Sequence, residues 1–561
     1  MTALLTDNLP LLSGAPNGIQ KLRELILELA VRGKLVPHDP ADEPASELLK
    51  RIAEEKARLV AEGKIKKQKP LAEIGEEEKP FELPKGWEWV RVAAVGHDWG
   101  QKTPDQEFTY IDVGSVDNSI GEIGTPQVVV AEEAPSRARK IVRIGTIIYS
   151  TIRPYLLNVA VIEREYSSEP IASTAFAIIH PYLDMPSRYF LWYLRSPVFV
   201  RYVESVQTGI AYPAINDGQF YSGLIPLPPL AEQHRIVAKV DELMALCDRL
   251  EARQTDAESA HARLVQALLD SLTQASDATD FAASWQRLAE HFHSLFTSEA
   301  SIDALKQTLL QLAVMGKLVP QVPSDEPASE LLKRIAEEKA RLMAEGKLSK
   351  QKASLDLARE EMPYELPGGW CWSTLPAIGE LARGKSRHRP RNDPALYVGG
   401  DIPLVQTGDV ARANGVINTY TALYNEVGLE QSRLWPEGTM CITIAANIAD
   451  SAILGFDACF PDSVVGFVPY LEEMDVRYFE FFLRTAKSHL EDFAPSTAQK
   501  NINLEILSCL SVPLPPVAEA NRIVAKVNQL MALCDQLKTR LGDARHLHER
   551  LAGTLVESAI A

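Results

Sequence analysis

The sequence predicts an α+β chain in which two mixed α/β domains are separated and bridged by long antiparallel coiled-coil helices, related by a pseudo-two-fold internal repeat. Three observations carry this expectation: duplicated cassettes, a heptad stripe in one of them, and β-rich runs between them. Leu27 to Pro37 (LELAVRGKLVP) recurs as Leu310 to Pro320 (LQLAVMGKLVP), and Asp42 to Leu59 recurs unchanged as Asp325 to Leu342, both at an offset of 283 residues. The same offset carries the Leu83-Pro84-Lys85-Gly86-Trp87 stretch onto Leu366-Pro367-Gly368-Gly369-Trp370. A second cassette, Pro226-Leu227-Pro228-Pro229 with Arg235 to Asp248, returns as Pro513-Leu514-Pro515-Pro516 with Arg522 to Asp535 at an offset of 287. Self-similarity at a fixed spacing decides the architecture before any element is assigned.

The first cassette reads as two helices. Leu22, Ile26, Leu29 and Ala30 make a short apolar stripe, and Ser46 to Ala61 forms a second helix, started by Pro44 and ended near Gly63. After the Pro-Pro stop of the second cassette, Ile236, Val240, Leu243, Cys247, Leu250, Gln254, Ala257, His261, Leu264 and Leu268 alternate in steps of four and three, a coiled-coil seam. The other copy keeps the register from Ile523 to Leu555. From Ile236 to Leu268 is 33 residues, a helix of about 50 Å at ~1.5 Å per residue. His261 and His548 occupy equivalent seam positions without a second ligand spaced nearby, so packing is expected of them rather than metal binding.

Between the cassettes, Val128 to Val130, Ile141 to Ile144, Ile147 to Tyr149 and Met440 to Ile444 are short β-rich runs punctuated by Gly and Pro, while Tyr189 to Leu194 and Tyr478 to Leu483 suit short amphipathic helices. The expected division is 1–86 helical, 87–225 globular, 226–369 helical, 370–512 globular and 513–561 helical.

Composition narrows the classes. A length of 561 residues with 46% hydrophobic and 24% charged residues and a mean hydropathy of -0.09 fits several globular units and excludes a disordered or collagenous chain. No apolar run reaches membrane-spanning length and the first residues lack a signal-peptide pattern, so a cytoplasmic protein without membrane partners is expected. The cysteines, Cys247, Cys371, Cys441, Cys459, Cys509 and Cys534, form no C-x-x-C pair and are expected to be buried thiols. A net charge of -17 argues against coating nucleic acid by bulk charge, so any DNA contact must be local.

Near-identical helical cassettes framing unlike globular blocks imply a duplicated scaffold with two different recognition surfaces. On the Leu-Ala-Val-x-Gly-Lys-Leu-Val stretches at 29–36 and 312–319, the Leu-Pro-x-Gly-Trp entries, the Pro-Leu-Pro-Pro exits and Leu230-Ala231-Glu232-Gln233, the chain resembles the specificity subunit of type I restriction-modification systems over essentially its full length. The second exit departs from the family pattern at Ala520-Asn521, which stand where the first has Gln233-His234. The resemblance implies two target-recognition domains, each reading one half of a split asymmetric sequence in double-stranded DNA. It further implies helices that dock two methyltransferase subunits and, through them, restriction (motor-nuclease) subunits. S-adenosylmethionine, ATP and Mg would then be used by those partners, with no cofactor bound by this chain.

Residue chemistry supplies candidates for the DNA contacts. Arg383, Lys385, Arg387, Arg389 and Arg391 fall within nine residues, a basic loop suited to DNA, although charge runs are usually just solvated. In the first block Arg137, Arg139, Lys140 and Arg143 cluster, and Arg153-Pro154-Tyr155 follows a β run. Arginine grips phosphate or reads guanine, and tyrosine packs on sugar or base. Arg153 also has Glu163 and Glu165 as bland partners. Thr208 to Asn216, with Tyr212, and Ser496 to Asn503, with Lys500 and Asn501, match at offset 287 and resemble the family's loop beside the DNA, or equally a structural turn.

One motif points elsewhere. Gly379 to Ser386 satisfies the P-loop pattern G-x-x-x-x-G-K-S, the basis of an alternative reading as a P-loop ATPase with a coiled-coil arm. Pro390 and Pro394 oppose the helix that such a loop must precede. No methyltransferase tetrad or nuclease core is found, and Glu54-Glu55-Lys56 lies in a repeated helix, so a chain without a catalytic site is expected.

Overall fold

The computed structural model describes residues 10–67, 71–209, 211–276, 278–346, 348, 364–388, 390–445, 448–492 and 502–560. They form two compact units, Met1–Ala257 with Ala544–Ala561, and Glu258–Asp543. The second cassettes become helices of 44 residues each, Leu230–Thr273 and Val517–Ile560, about 66 Å long at ~1.5 Å per residue. They begin directly at the prolines that the backbone cannot carry into a helix, and so exceed the expected length.

The seam is interrupted. Ile236, Val240 and Cys247 are buried in the first unit, but residues 251–260, including Gln254 and Ala257, are all exposed. Burial resumes one position later than the heptad requires: Leu264 is exposed while Val265, Leu269 and Leu272 are buried in the second unit. The other helix repeats the slip, with Leu551 exposed and Ala552 buried. A straight α-helix drifts against a strict seven-residue repeat, so a stripe kept to one phase cannot serve both ends. Leu268 is half-buried.

In the first unit, helices Gly18–Val31 and Ala45–Ala61 pack on the start of the long helix and on the globular block. That block is built on two four-stranded sheets, beside the small pair of Val116–Asp117 with Glu122–Ile123. One orders Gly96–His97, Phe176–Pro181, Ile147–Ser150 and Val159–Val161; the other orders Gln127–Val129, Phe108–Ile111, Glu169–Ser173 and Ala138–Ile141. The second unit repeats the plan on an unlike sequence. Its five-stranded sheet runs Gly379–Arg383, Val464–Pro469, Met440–Thr443, Ser451–Leu454 and Val416–Ile417, beside a four-stranded one. Helices Ser187–Leu194 and Val476–Asp492 cover the sheets, the latter much longer than its apolar signal.

Each block is closed at its neck by the motifs flanking it. Strand Glu88–Arg91 pairs antiparallel with Leu224–Leu227, Glu88 opposite Leu227; Cys371–Thr374 pairs with Ser511–Leu514, Cys371 opposite Leu514. The entry tryptophan then bonds the exit motif: Trp87 Nε1 donates to Glu232 at 3.0 Å, and Trp370 Nε1 to Glu519 at 3.1 Å. Tyr189 and Tyr478 donate their hydroxyls to the exit carbonyls of Pro226 and Pro513. Burial pushes the Glu519 carboxyl up while the Trp370 bond pulls it down. Because truncation leaves a buried indole N–H unsatisfied, Glu232→Ala and Glu519→Ala are each expected to destabilise their unit by about 1–3 kcal/mol, read as a lowered Tm; an unchanged Tm would dismiss the clamp.

The Gly-Lys pair of the first cassette acts at a helix end. Gly33 and Gly316 have φ of 68° and 69°, and a Cβ there would lie 2.5 Å from Pro84 or Pro367. Lys34 Nζ donates to the Ile560 carbonyl, and Lys317 Nζ to that of Thr273, a cation placed on the last carbonyls of a long helix. The seam histidines bond carbonyls outside the long helices: His548 Nε2 meets Leu11 O at 2.8 Å, and His261 Nε2 meets Ser294 O at 3.0 Å. Four of the cysteines are buried, whereas Cys371 is half-buried and Cys509 exposed, against expectation. Among the described residues, no helix is long and apolar enough to cross a membrane.

Candidate nucleic-acid interface

In the first block the Ile147–Ser150 and Val159–Val161 strands form a hairpin, Tyr149 opposite Val159, whose tip carries Arg153 at φ 48° and Leu157 at φ 52°. Left-handed backbone costs a side-chain-bearing residue of order 1 kcal/mol, so such positions persist only where neighbours fix them. Arg153 N donates to Pro213 O at 2.8 Å, Ile215 N to Thr151 O at 2.9 Å, and Asn118 Nδ2 to Leu156 O at 2.9 Å. The second loop closes on itself through Thr208 and Ala214, with Gly209 at φ 93°. Ile210 lies outside the described residues.

These bonds bring Arg153, Tyr155 and Tyr212 to one surface. The Arg153 guanidinium lies 5.0 Å from the Tyr212 ring centroid, within cation–π range. Tyr212 is 69% and Tyr155 49% exposed, and Ile152 and Leu156 stand exposed beside them. Among the described residues Arg153 makes no ion pair, and its bland partner Glu163 takes Arg188 at 3.1 Å instead. Asn216 turns out to be a helix cap, accepting from Gln219 N at 2.9 Å, as Asn503 does from Ile506 N at 2.8 Å.

The Arg137 cluster divides. Arg137 is exposed and Arg139 half-buried with Nη1 on the Ala138 carbonyl. Lys140 is 3% exposed and bonds Asp217 at 2.8 Å, so it holds helix Asp217–Ser222 rather than facing solvent. Asp217→Ala, which strands that buried ammonium, is expected to cost about 1–3 kcal/mol; thermal unfolding reads it, and no loss would place Lys140 in solvent. Arg143 stacks 4.0 Å over Trp99. His97 and His180 lie nearby, and burial first, then His97, pushes His180 down to about 4, so it supplies no positive charge near neutrality.

In the second block the first five residues of the P-loop pattern are a strand. Gly379–Arg383 pairs antiparallel with Val464–Pro469, and Gly384 N donates to Val464 O at 2.9 Å. The amides of Arg387 and His388 both donate to the Gln431 carboxamide, at 2.6 and 3.1 Å. A phosphate cradle needs those N–H groups free and a helix following them; here they are spent and Gly384 is packed against Phe460 O. Arg383, Lys385 and Arg387 are exposed, while Arg391 bonds Asp462 at 2.7 Å. Arg389, Lys500 and Asn501 lie outside the described residues. The hairpin plan recurs, with Ala449 at φ 59° and Ile502 N donating to Ile444 O at 3.0 Å. Among the described residues no group of His, Cys, Asp and Glu is placed to hold a metal ion.

Ile152, Leu156 and Asn118 escaped sequence reading. Nothing in a linear apolar run marks which members a turn will push outward.

Similarity to known proteins runs along most of the chain. The family model described as type I restriction modification DNA specificity domain matches residues 84–258 and 368–543. The specificity subunit of the type I restriction enzyme EcoAI of Escherichia coli is 38% identical over 97% of this chain and 94% of its own length. That of EcoEI, also from Escherichia coli, is 36% identical over 97% and 94%. A solved chain from work on complex assembly and conformational transition of the type I R-M system matches in fold with a TM-score of 0.54 at 22% identity, covering 86% of this chain and 99% of that one.

Proposed function

This chain belongs to the type I restriction-modification specificity subunits, and from that premise we infer that it is the address-reading part of a DNA-modifying complex. Residues 87–225 and 370–512 are its two target-recognition domains, each reading one half of a split asymmetric target in double-stranded DNA. Residues 1–86, 226–369 and 513–561 are the helical scaffold, with the long helices antiparallel. That scaffold docks two methyltransferase subunits, which carry S-adenosylmethionine chemistry and recruit restriction subunits using ATP and Mg. The chain works in the cytoplasm and contributes no catalytic group of its own. What supports this most is the mounting: two unlike blocks sit on the same strand pair, tryptophan–glutamate bond and tyrosine bond. A scaffold duplicated so closely beneath divergent surfaces suits two different sequences read at one spacing.

Arg153, Tyr155 and Tyr212 form the centre of the first reading surface, with Arg137 and Arg139 at its flank. Arg383, Lys385, Arg387 and Arg391 serve the second, joined on sequence grounds by Arg389, Lys500 and Asn501. A net charge of -17 is compatible with this if the partners neutralise most phosphates. Arg387→Ala combined with Arg389→Ala is expected to weaken target binding by about 1–3 kcal/mol for a base contact, or to flatten the salt dependence for phosphate contacts. Titration of the assembled complex at several salt concentrations distinguishes these. Unaltered affinity and slope would remove the loop from the interface. Lys385→Ala is expected to leave nucleotide binding absent, as in the parent; ATP binding lost on that substitution would revive a nucleotide site.

A further inference from the structure

Resting on the assignment of 87–225 as a recognition domain, we propose that the hairpin tip at Arg153–Leu157, with Tyr212 beside it, is a wedge that enters the DNA stack and opens one base step in its half-site. Contacts to phosphate ask for cations and polar groups. This tip instead gathers Ile152, Tyr155, Leu156 and Tyr212, all exposed, around one arginine. Large apolar chains clustered in solvent mark a surface awaiting a partner. The partner's charge follows from Arg153, which lies on the Tyr212 ring with no ion-paired carboxylate among the described residues, so the patch is apolar and locally positive. A duplex opened from its minor groove meets both demands: base faces receive Tyr and Leu, and groove acceptors or phosphates receive the guanidinium.

Rigidity points the same way. A wedge opens a stack only if it yields less than the stack does. Arg153 and Leu157 hold left-handed backbone between the Pro213 carbonyl and the Asn118 carboxamide, and the Thr151–Ile215 bond ties the tip to the Tyr212 loop. The second domain keeps the left-handed residue at Ala449, yet Ile444, Ile448 and Ala449 are buried. The wedge is therefore proposed for the half-site read by 87–225, whose hairpin tip is described throughout. An opened step lowers the cost of extruding a neighbouring base for methylation.

The test uses the full chain assembled with its methyltransferase subunits on target DNA, with 2-aminopurine placed base by base through both half-sites. Fluorescence is expected to rise at one step of the half read by 87–225, apart from the methylated adenines. Tyr212→Ala and Leu156→Ala should abolish that rise, Tyr212→Phe should keep it, and Tyr212→Ala should weaken target binding roughly ten- to a hundredfold, the loss of one stacking ring. Both side chains are exposed, so folding is not at stake. Tight target binding without the rise, or a rise that survives both alanine variants, would overturn the wedge alone. Absence of sequence-specific binding by the unmodified complex would overturn the recognition reading and the wedge with it.

Discussion

Replacing Trp370 to Val512 with the corresponding block of another family member changes one half of the DNA target and leaves the other half intact. The expectation follows from how the block is attached. Its entry and exit are neighbouring strands, Cys371 opposite Leu514, so the chain leaves the scaffold where it came in. An incoming block must supply the tryptophan that bonds Glu519 and the tyrosine that bonds the Pro513 carbonyl. Block 87–225 meets the same demands with Trp87 and Tyr189. Given those two side chains, nothing in the neck senses which bases the far end reads. The effect is a complete change of half-site, and methylation mapping of the exchanged chain reads it. A change in both halves would show that the domains do not read independently.

Insertions after Leu250 of the first long helix are expected to split by length. Four residues add about 6 Å at ~1.5 Å per residue, while one base pair advances ~3.4 Å. The spacer between half-sites should lengthen by one or two base pairs. They turn the downstream part of the helix by only about 40° at ~3.6 residues per turn. Two residues turn it by about 200° and should abolish assembly, because the buried stripe after the insertion, Val265, Leu269 and Leu272, would face solvent. The site is suited to the experiment, since residues 251–260 are exposed throughout and the insertion strikes no core side chain. Retention of the original spacer by both variants would show that the partner subunits set the distance.

The scaffold was legible because its physics is local and repeated. Helix starts at proline, the helix end near Gly63 and the apolar stripes all follow from short-range rules, and duplication presented the cassettes twice. The seam was misread past Leu250 for a related reason. Periodicity reports which residues are apolar, whereas burial at Val265 instead of Leu264 depends on which segment packs against the helix there. The candidate surface was only half legible. Arg153, Tyr155 and Tyr212 stood out as residue types, but Lys140 looked equivalent to Arg137 until Asp217, 77 residues away, was seen to hold it. The P-loop pattern misleads for the opposite reason: a regular expression fixes residue types, while phosphate binding depends on free amides, and those of Arg387 and His388 are already bound to Gln431. The shared sheet plan of the two blocks had no sequence signature, since buried strands accept any apolar residue of fitting volume.

Whether this chain supplies the address for DNA methylation is decided by mapping methylated adenines across the host genome with the gene intact and deleted. One split, asymmetric motif is expected to be methylated in the first case and unmodified in the second, restored by the intact gene and altered in one half by the exchanged one. A methylation pattern indifferent to the deletion, or a lost motif that is continuous and symmetric, would contradict it.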